Sequence, residues 1–261
     1  AAAAGGFIVL AIFGYEIFNF TIGVDEERDL SHSYGTTTDI ERVIFKEGRY
    51  GQYLYRLLFT YDRSTNPYFD VFFGAVLLFL AALMTAICLE KYYGRPFSNA
   101  SVTIFIGAFV SLPYIVPEWF CYNGMNVCFS AALLLCALSA YLITFSGHRA
   151  SRYSLCTLML VLAFSMSENF LAYFIALACS CVFFSIFGNE NSGIKEFFGR
   201  AVPLISVFGA GFVIYMLMRA VIGTNSYAVN TYFHWGTQSF SEIAHNLKAF
   251  MIKLFDSSVP G

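Results

Sequence analysis

The sequence predicts an all-α polytopic membrane protein, and three observations carry that prediction. Hydrophobic residues make up 58% of the 261 residues and charged residues only 12%; a soluble domain is roughly 25% charged. The mean hydropathy is +0.64. The apolar residues fall in runs of membrane-crossing length, about 20 residues each, with polar segments between them. A water-soluble domain is excluded on these grounds, and 30 Phe with 17 Tyr exclude a disordered chain. With 15 Lys and Arg against 17 Asp and Glu, no basic face advertises a nucleic acid partner.

Residues 1–20 form the first predicted span, with Glu16 its only charge. The opening run of Ala and Gly, without Met, reads as a trimmed terminus rather than a secretory signal, which needs a basic start. A longer parent chain is compatible with that reading. The segment 21–68 is the largest polar stretch. A loop of that length is expected to be structured and functional. Thr38-Asp39-Ile40-Glu41 has capping-box spacing. Ile40, Val43, Ile44 and Glu47 follow at helical offsets, and Gly48 can end that helix. A second helix is predicted over 50–59, with Tyr53, Leu54, Leu57 and Leu58 on one face. Arg42, Lys46, Arg49 and Arg56 take the remaining surface of the pair. Short amphipathic helices of this kind lie in the membrane interface.

The next spans are 71–89, free of charge, 102–117, with a kink expected at Pro113, and 127–146. The apolar stretch 153–187 is too long for one crossing, since at 1.5 Å per residue it would reach roughly 50 Å. Ser165-Met166-Ser167-Glu168-Asn169 interrupts it, which predicts a hairpin of two short helices. The last span is 201–222, with Arg219 near its end. The sum is about seven helices in a transmembrane domain over 1–222, which includes the loop 21–68. Residues 223–261 form an outward juxtamembrane segment. Within it, Ser239 and Glu242 make another capping box, and Phe240, Ile243, Leu247, Phe250 and Leu254 form an apolar stripe over 239–255.

Orientation follows from the basic residues. Lys91 and Arg95, then Arg149 and Arg152, then Lys195 and Arg200 lie in alternate connections. The turns at 118–126 and 165–169 carry neither Lys nor Arg. The positive-inside rule puts the basic connections in the cytoplasm. Residues 21–68, the 118–126 turn, Glu168 and everything after residue 222 then face outward. Of the seven Cys, Cys88, Cys136, Cys156, Cys179 and Cys181 lie in apolar runs and read as small hydrophobes. Cys121 and Cys128 flank a polar turn and could pair if that turn faces an oxidising compartment.

Directly after the first span stands Gly23-Val24-Asp25-Glu26-Glu27-Arg28-Asp29. One reading is a solvated acidic lip. The sharper one is a general base, because a carboxylate at a low-dielectric boundary has its pKa raised toward neutrality.

The acidic pair just past the first span, the outward loop of interface helices, and Gly48-Arg49-Tyr50 leading into Gln52-Tyr53-Leu54-Tyr55-Arg56-Leu57-Leu58 together resemble a known family. It is that of the bacterial type-II serotype-converting O-antigen glucosyltransferases, membrane enzymes of the GT-C superfamily. The resemblance is firmest over 7–68 and rests on helix pattern beyond. That family tends to show two adjacent Asp where this chain has Asp25-Glu26, so the choice of base between them is open.

The resemblance implies a GT-C-like helix bundle in the bacterial inner membrane with its active site facing the periplasm. It implies transfer of a sugar, glucose by the family's habit, from a polyprenyl-phosphate donor to a surface polysaccharide such as the O-antigen of lipopolysaccharide. The partners are then the lipid-linked donor, the glycan acceptor and membrane lipid. Asp25 or Glu26 would deprotonate the acceptor hydroxyl. The departing phosphate needs a cation, and an Arg fork matches its oxygens. Arg49, Arg56 and Arg219 are the candidates, with Arg56 also readable as an interfacial surface residue. Arg219 sits inside a span, where charges mark functional sites unless they snorkel. Glu168, with Asn169, could hold sugar hydroxyls or simply be an exposed turn residue. Glu16 could reach the donor site or neutralise an Arg. Glu118, Trp119 and Tyr122 could form an aromatic sugar platform, although interface anchoring is commoner for such residues.

No cofactor and no essential metal are expected. Asp25 and Asp29 could share a hard cation, but His32, His148, His234 and His245 show no ligand spacing. No Gly-rich phosphate loop or nucleophile elbow is present. Two rivals stay open. A transporter or flippase of lipid-linked sugars would show paired repeats and broken helices, which the sequence lacks. For a non-catalytic assembly subunit, the acidic cluster and Arg219 would be dispensable.

Overall fold

A computed structural model describes residues 1–19, 48–59, 67–112, 115, 126–144, 149–188, 194–222, 241 and 245. Among the described residues the chain forms eight helices and no strand: α1 (Ala2–Phe18), α2 (Tyr50–Phe59), α3 (Pro67–Tyr93), α4 (Asn99–Val110), α5 (Asn126–Leu142), α6 (Arg149–Met166), α7 (Asn169–Gly188) and α8 (Ile194–Ile222). Three stretches, Tyr68–Tyr93, Asn169–Gly188 and Phe197–Ile222, are long and apolar enough to cross a membrane. The helices α1, α4, α5 and α6 are shorter and apolar. The chain is therefore an all-helical membrane protein.

Local chemistry sets the helix ends. Asn19 closes α1 by donating from both its backbone N and its Nδ2 to the Tyr15 carbonyl. Gly94, at φ 77°, follows the end of α3 in the left-handed region. Ser98 caps α4 by accepting from the Ser101 backbone N at 3.0 Å. The predicted break in 153–187 falls at Ser167 and Glu168, between α6 and α7. Several bounds differ from expectation. Helix α3 starts at Pro67, a good first-turn residue, so Asp70 lies inside it. Helix α4 ends at Val110, short of Pro113, because the positions before a proline disfavour helix. Helix α8 starts at Ile194 and carries Pro203 in its interior.

The core runs the length of the bundle. Helix α3 packs along α5, which in turn packs on α6, and α8 lies against α6 and α7. Phe164 meets Phe208 and Tyr215 edge-on, and Phe174 stacks on Phe208 at 6.0 Å. Gly5 allows α1 to approach α4 closely: a Cβ there would lie 2.7 Å from Ile106 Cδ1. Large apolar side chains on α8, among them Ile205, Val213, Leu217 and Val221, turn away from the core. That pattern suits lipid rather than water.

The two ends of the bundle are chemically distinct. At one, Tyr92 donates to the Ala140 carbonyl at 3.4 Å, and the Arg200 guanidinium lies over the Tyr92 ring at 5.9 Å. Phe97 donates its backbone N to Glu90 Oε2 at 3.1 Å. At the other end, α2 lies on the C-terminus of α6 and the N-terminus of α5. Arg219, Glu168 and the Gly48-Arg49 step lie at this second end.

Candidate active site at the α2 end

Helix α2 is inverted relative to a helix on a soluble protein. Its small and polar positions, Gly51, Gln52 and Tyr55, are buried against the bundle, whereas Leu54, Leu57 and Leu58 are exposed, the last at 64%. In water this would be unfavourable. In a membrane the leucines lose nothing by facing lipid, and the polar face finds its partners inside. Gln52 Nε2 donates to the Met166 carbonyl at 2.7 Å. That carbonyl lies in the last turn of α6, where carbonyls lack partners within the helix. Gly51 is needed for the approach, because a Cβ there would come within 2.7 Å of Ser165 Oγ and Met166 Cγ. Tyr55 donates its phenol hydrogen to Asp70 Oδ1 in the first turn of α3. Asp70 is completely buried, and a carboxylate in a helix's first turn is favoured by the helix dipole.

Arg219 stands in the last turn of α8 and Glu168 immediately before α7. Each charge sits at the helix end whose dipole favours it. Arg219 Nη1 donates to Glu168 Oε1 in an ion pair. The guanidinium also lies over the Tyr215 ring, with Cζ 5.6 Å from its centroid, a cation–π geometry. Arg219 is 8% exposed. It is therefore not snorkelling into water, and its burial is sustained by a carboxylate and an aromatic face.

Gly48 brings this pair to α2. It lies at φ 69°, and a Cβ on it would come 3.3 Å from Arg219 Nε. The step Gly48-Arg49-Tyr50 thus abuts a residue of the last span. Glycine is required there twice, once for the backbone angle and once for the approach.

The structure brings together Arg219, Glu168 and the Gly48-Arg49 step. Glu16 is buried two residues before the end of α1. Arg56 falls on α2, and its side chain lies outside the described set. Asp25 and Glu26 lie outside the described residues, as do Asp29, Glu118, Trp119, Cys121 and Tyr122, the 38–47 helix and nearly all of 239–255. Among the described residues no three His, Cys, Asp or Glu side chains gather as a metal site would require.

Sequence reasoning missed Tyr215, Asp70 and the anchoring roles of Gln52 and Tyr55. Asp70 had a signal: it stands one residue before a run free of charge, where an acid is well placed to start the helix. Tyr215 also had one, four residues before Arg219 and so on the same helical face.

A buried guanidinium–carboxylate pair thus lies where the ends of α7 and α8 meet α2 in an all-helical membrane protein. Which such protein it is follows from comparison. The chain belongs to the Glucosyl transferase GtrII family, whose model matches residues 14–258. Membership makes it a glucosyltransferase. No curated protein and no solved structure matches the chain.

Proposed function

We propose that the protein is a GT-C-type enzyme of the bacterial inner membrane. It moves glucose from a polyprenyl-phosphate donor to a surface polysaccharide, the O-antigen being the expected class, on the periplasmic face. One observation carries this reading: Arg219 of the last span lies against Gly48, next to Arg49, so two cations distant in sequence share one end of the bundle. A lipid phosphate arriving at that end meets both. The Arg219 fork presents planar N–H donors to phosphate oxygens, and Glu168 and Tyr215 hold it in place beforehand.

In the proposed reaction, Asp25 or Glu26 takes the proton of an acceptor hydroxyl. The oxygen then attacks the anomeric carbon of the donor glucose. The bond from that carbon to the phosphate oxygen breaks, and polyprenyl phosphate leaves with its charge on Arg49 and Arg219. Glu16 and Arg56 stand as further donor contacts. Glu168 serves through Arg219 as well as toward sugar hydroxyls. No metal is needed, because a single phosphate has less charge to neutralise than a diphosphate. Residues 1–222 are the transmembrane unit, and 223–261 lie outside it as a juxtamembrane segment.

The test is transfer by the purified protein, given polyprenyl-phosphate glucose and a polysaccharide acceptor and read by mass spectrometry. Wild-type protein adds one hexose per acceptor site, and Asp25→Asn with Glu26→Gln abolishes it while the protein still purifies intact. Transfer from a nucleotide sugar alone, or full activity of the double variant, would overturn the reading.

A further inference from the structure

Helix α2 faces lipid with its leucines, so no hydrophobic force draws that face onto the bundle. Its seat combines polar and close contacts, Gly51 on Ser165 and Met166, Gln52 on the Met166 carbonyl and Tyr55 on Asp70, with the Tyr55 ring packed on Val127 and Cys128. Gly51, Gln52 and Tyr55 lie within α2, and the Gly48-Arg49 step directly precedes its first residue. The contact at Gly51 is backbone-close and acts as a fulcrum. The Tyr55–Asp70 bond holds one arm, and the Gly48-Arg49 step against Arg219 is the other.

We propose that the buried Tyr55–Asp70 hydrogen bond is a positioning device, which seats α2 so that the Gly48-Arg49 step meets Arg219. The inference rests on the reading of Arg49 and Arg219 as the phosphate clamp. Asp70 has a local role in starting α3, but that role needs neither complete burial nor a phenol from another helix. Both are present. A carboxylate taken wholly out of lipid and water and given to the far arm of α2 fixes the tilt of that helix. Letting go of it lets α2 tilt about Gly51 and moves the attached Gly48-Arg49 step relative to Arg219. A shift of about 1 Å in a clamp can cost on the order of 100-fold in rate.

The experiment uses the full chain in lipid nanodiscs with polyprenyl-phosphate glucose as the probe. Donor Kd, kcat and acceptor KM are measured for Tyr55→Phe, Asp70→Ala, Asp70→Asn, Arg49→Ala, Arg219→Ala and Tyr55→Phe combined with Arg49→Ala. Size-exclusion profiles and Tm establish that each variant is folded. The expected result for Tyr55→Phe and Asp70→Ala is a donor Kd raised about tenfold with acceptor KM unchanged, a split that general loosening does not give. Asp70→Asn, which keeps an oxygen to accept the phenol hydrogen, restores most of the affinity. Adding Tyr55→Phe to Arg49→Ala costs nothing further, because Tyr55 acts through Arg49.

If Arg49→Ala and Arg219→Ala weaken the donor while Tyr55→Phe does not, the positioning role is wrong and the clamp stands. Additive losses in the double variant also overturn it. If the Arg variants bind donor as wild type does, the clamp itself fails and takes the positioning role with it. A variant of Tyr55 or Asp70 that fails to fold is replaced by Gln52→Leu, which loosens the same seat at the fulcrum and is held to the same donor–acceptor split.

Discussion

Replacing Glu168 with Ala removes the carboxylate that faces a guanidinium only 8% exposed. Breaking a fully buried pair from one side costs about 3–5 kcal/mol, because a charge is left in a poor solvent. Here the Glu168 side chain is 19% exposed and the Arg219 side chain 9%, so water reaches one partner. The Tyr215 face continues to stabilise the cation, by about 1–2 kcal/mol. The expected loss is therefore at the low end, about 2–3 kcal/mol. For a chain of this size 1 kcal/mol shifts Tm by roughly 2–4 °C, so Glu168→Ala lowers Tm by roughly 4–12 °C. The assay is thermal unfolding in detergent for Glu168→Ala, Arg219→Ala and the double variant. A buried pair gives a coupling energy of at least about 1.5 kcal/mol in that cycle. A coupling under about 0.5 kcal/mol, the range of exposed ion pairs, would refute the claim that Arg219 is held out of water by Glu168.

Other outcomes follow from the same geometry. Gly48→Ala puts a non-glycine residue in the left-handed region, at about 1–2 kcal/mol, and sets a methyl against Arg219 Nε; lower Tm and reduced transfer are expected together. Gly51→Ala drives a Cβ to 2.7 Å from Ser165 Oγ and Met166 Cγ and 3.1 Å from the Leu162 carbonyl, which should destabilise by about 1–3 kcal/mol and detach α2, read as faster hydrogen exchange of residues 50–59. The contrasting site is Gly14, where a Cβ meets nothing within 4 Å; Gly14→Ala should leave Tm unchanged or raise it by up to roughly 2–4 °C, from about 1 kcal/mol of helix propensity.

The sequence made the fold legible because membrane helices announce themselves. Length and apolarity located the seven apolar helices among the described residues, and the polar break at Ser165 to Asn169 located the α6–α7 turn. Helix α2 was placed to the residue, 50–59. What periodicity could not say is which face of α2 turns inward. A stripe of Leu at helical spacing looks the same whether it covers a core or meets lipid, and only the packing of Gly51, Gln52 and Tyr55 decides it. The pairing of Arg219 with Glu168 was likewise out of reach. Both were picked out singly as charges at span ends, but 51 positions separate them, and spacing in the chain carries no signal for such a contact. Asp70 was lost to a boundary: a span drawn from Val71 leaves its acid in the loop.

The pairing also changes what Glu168 can be expected to do. A carboxylate at an exposed turn would be free to accept bonds from sugar hydroxyls, but this one already receives a bond from Arg219 Nη1. Its larger effect on the proposed reaction is then on the orientation of the guanidinium. An Arg side chain has five N–H donors in a fixed fork. Committing some of them to a carboxylate fixes the plane of the rest before a phosphate arrives, and such preorganisation acts on the charge that develops as the leaving group departs. Glu168→Gln separates the two roles. The amide still accepts from Nη1 and can still contact a sugar, but it no longer balances the charge of Arg219. If Glu168 works through Arg219, this variant binds polyprenyl-phosphate glucose at least as tightly as wild type, because the cation becomes more available, while kcat falls because the weaker neutral hydrogen bond holds the guanidinium less firmly. If Glu168 is chiefly a sugar contact, the isosteric change leaves kcat nearly intact, and the ion pair is only a structural brace for the end of α8.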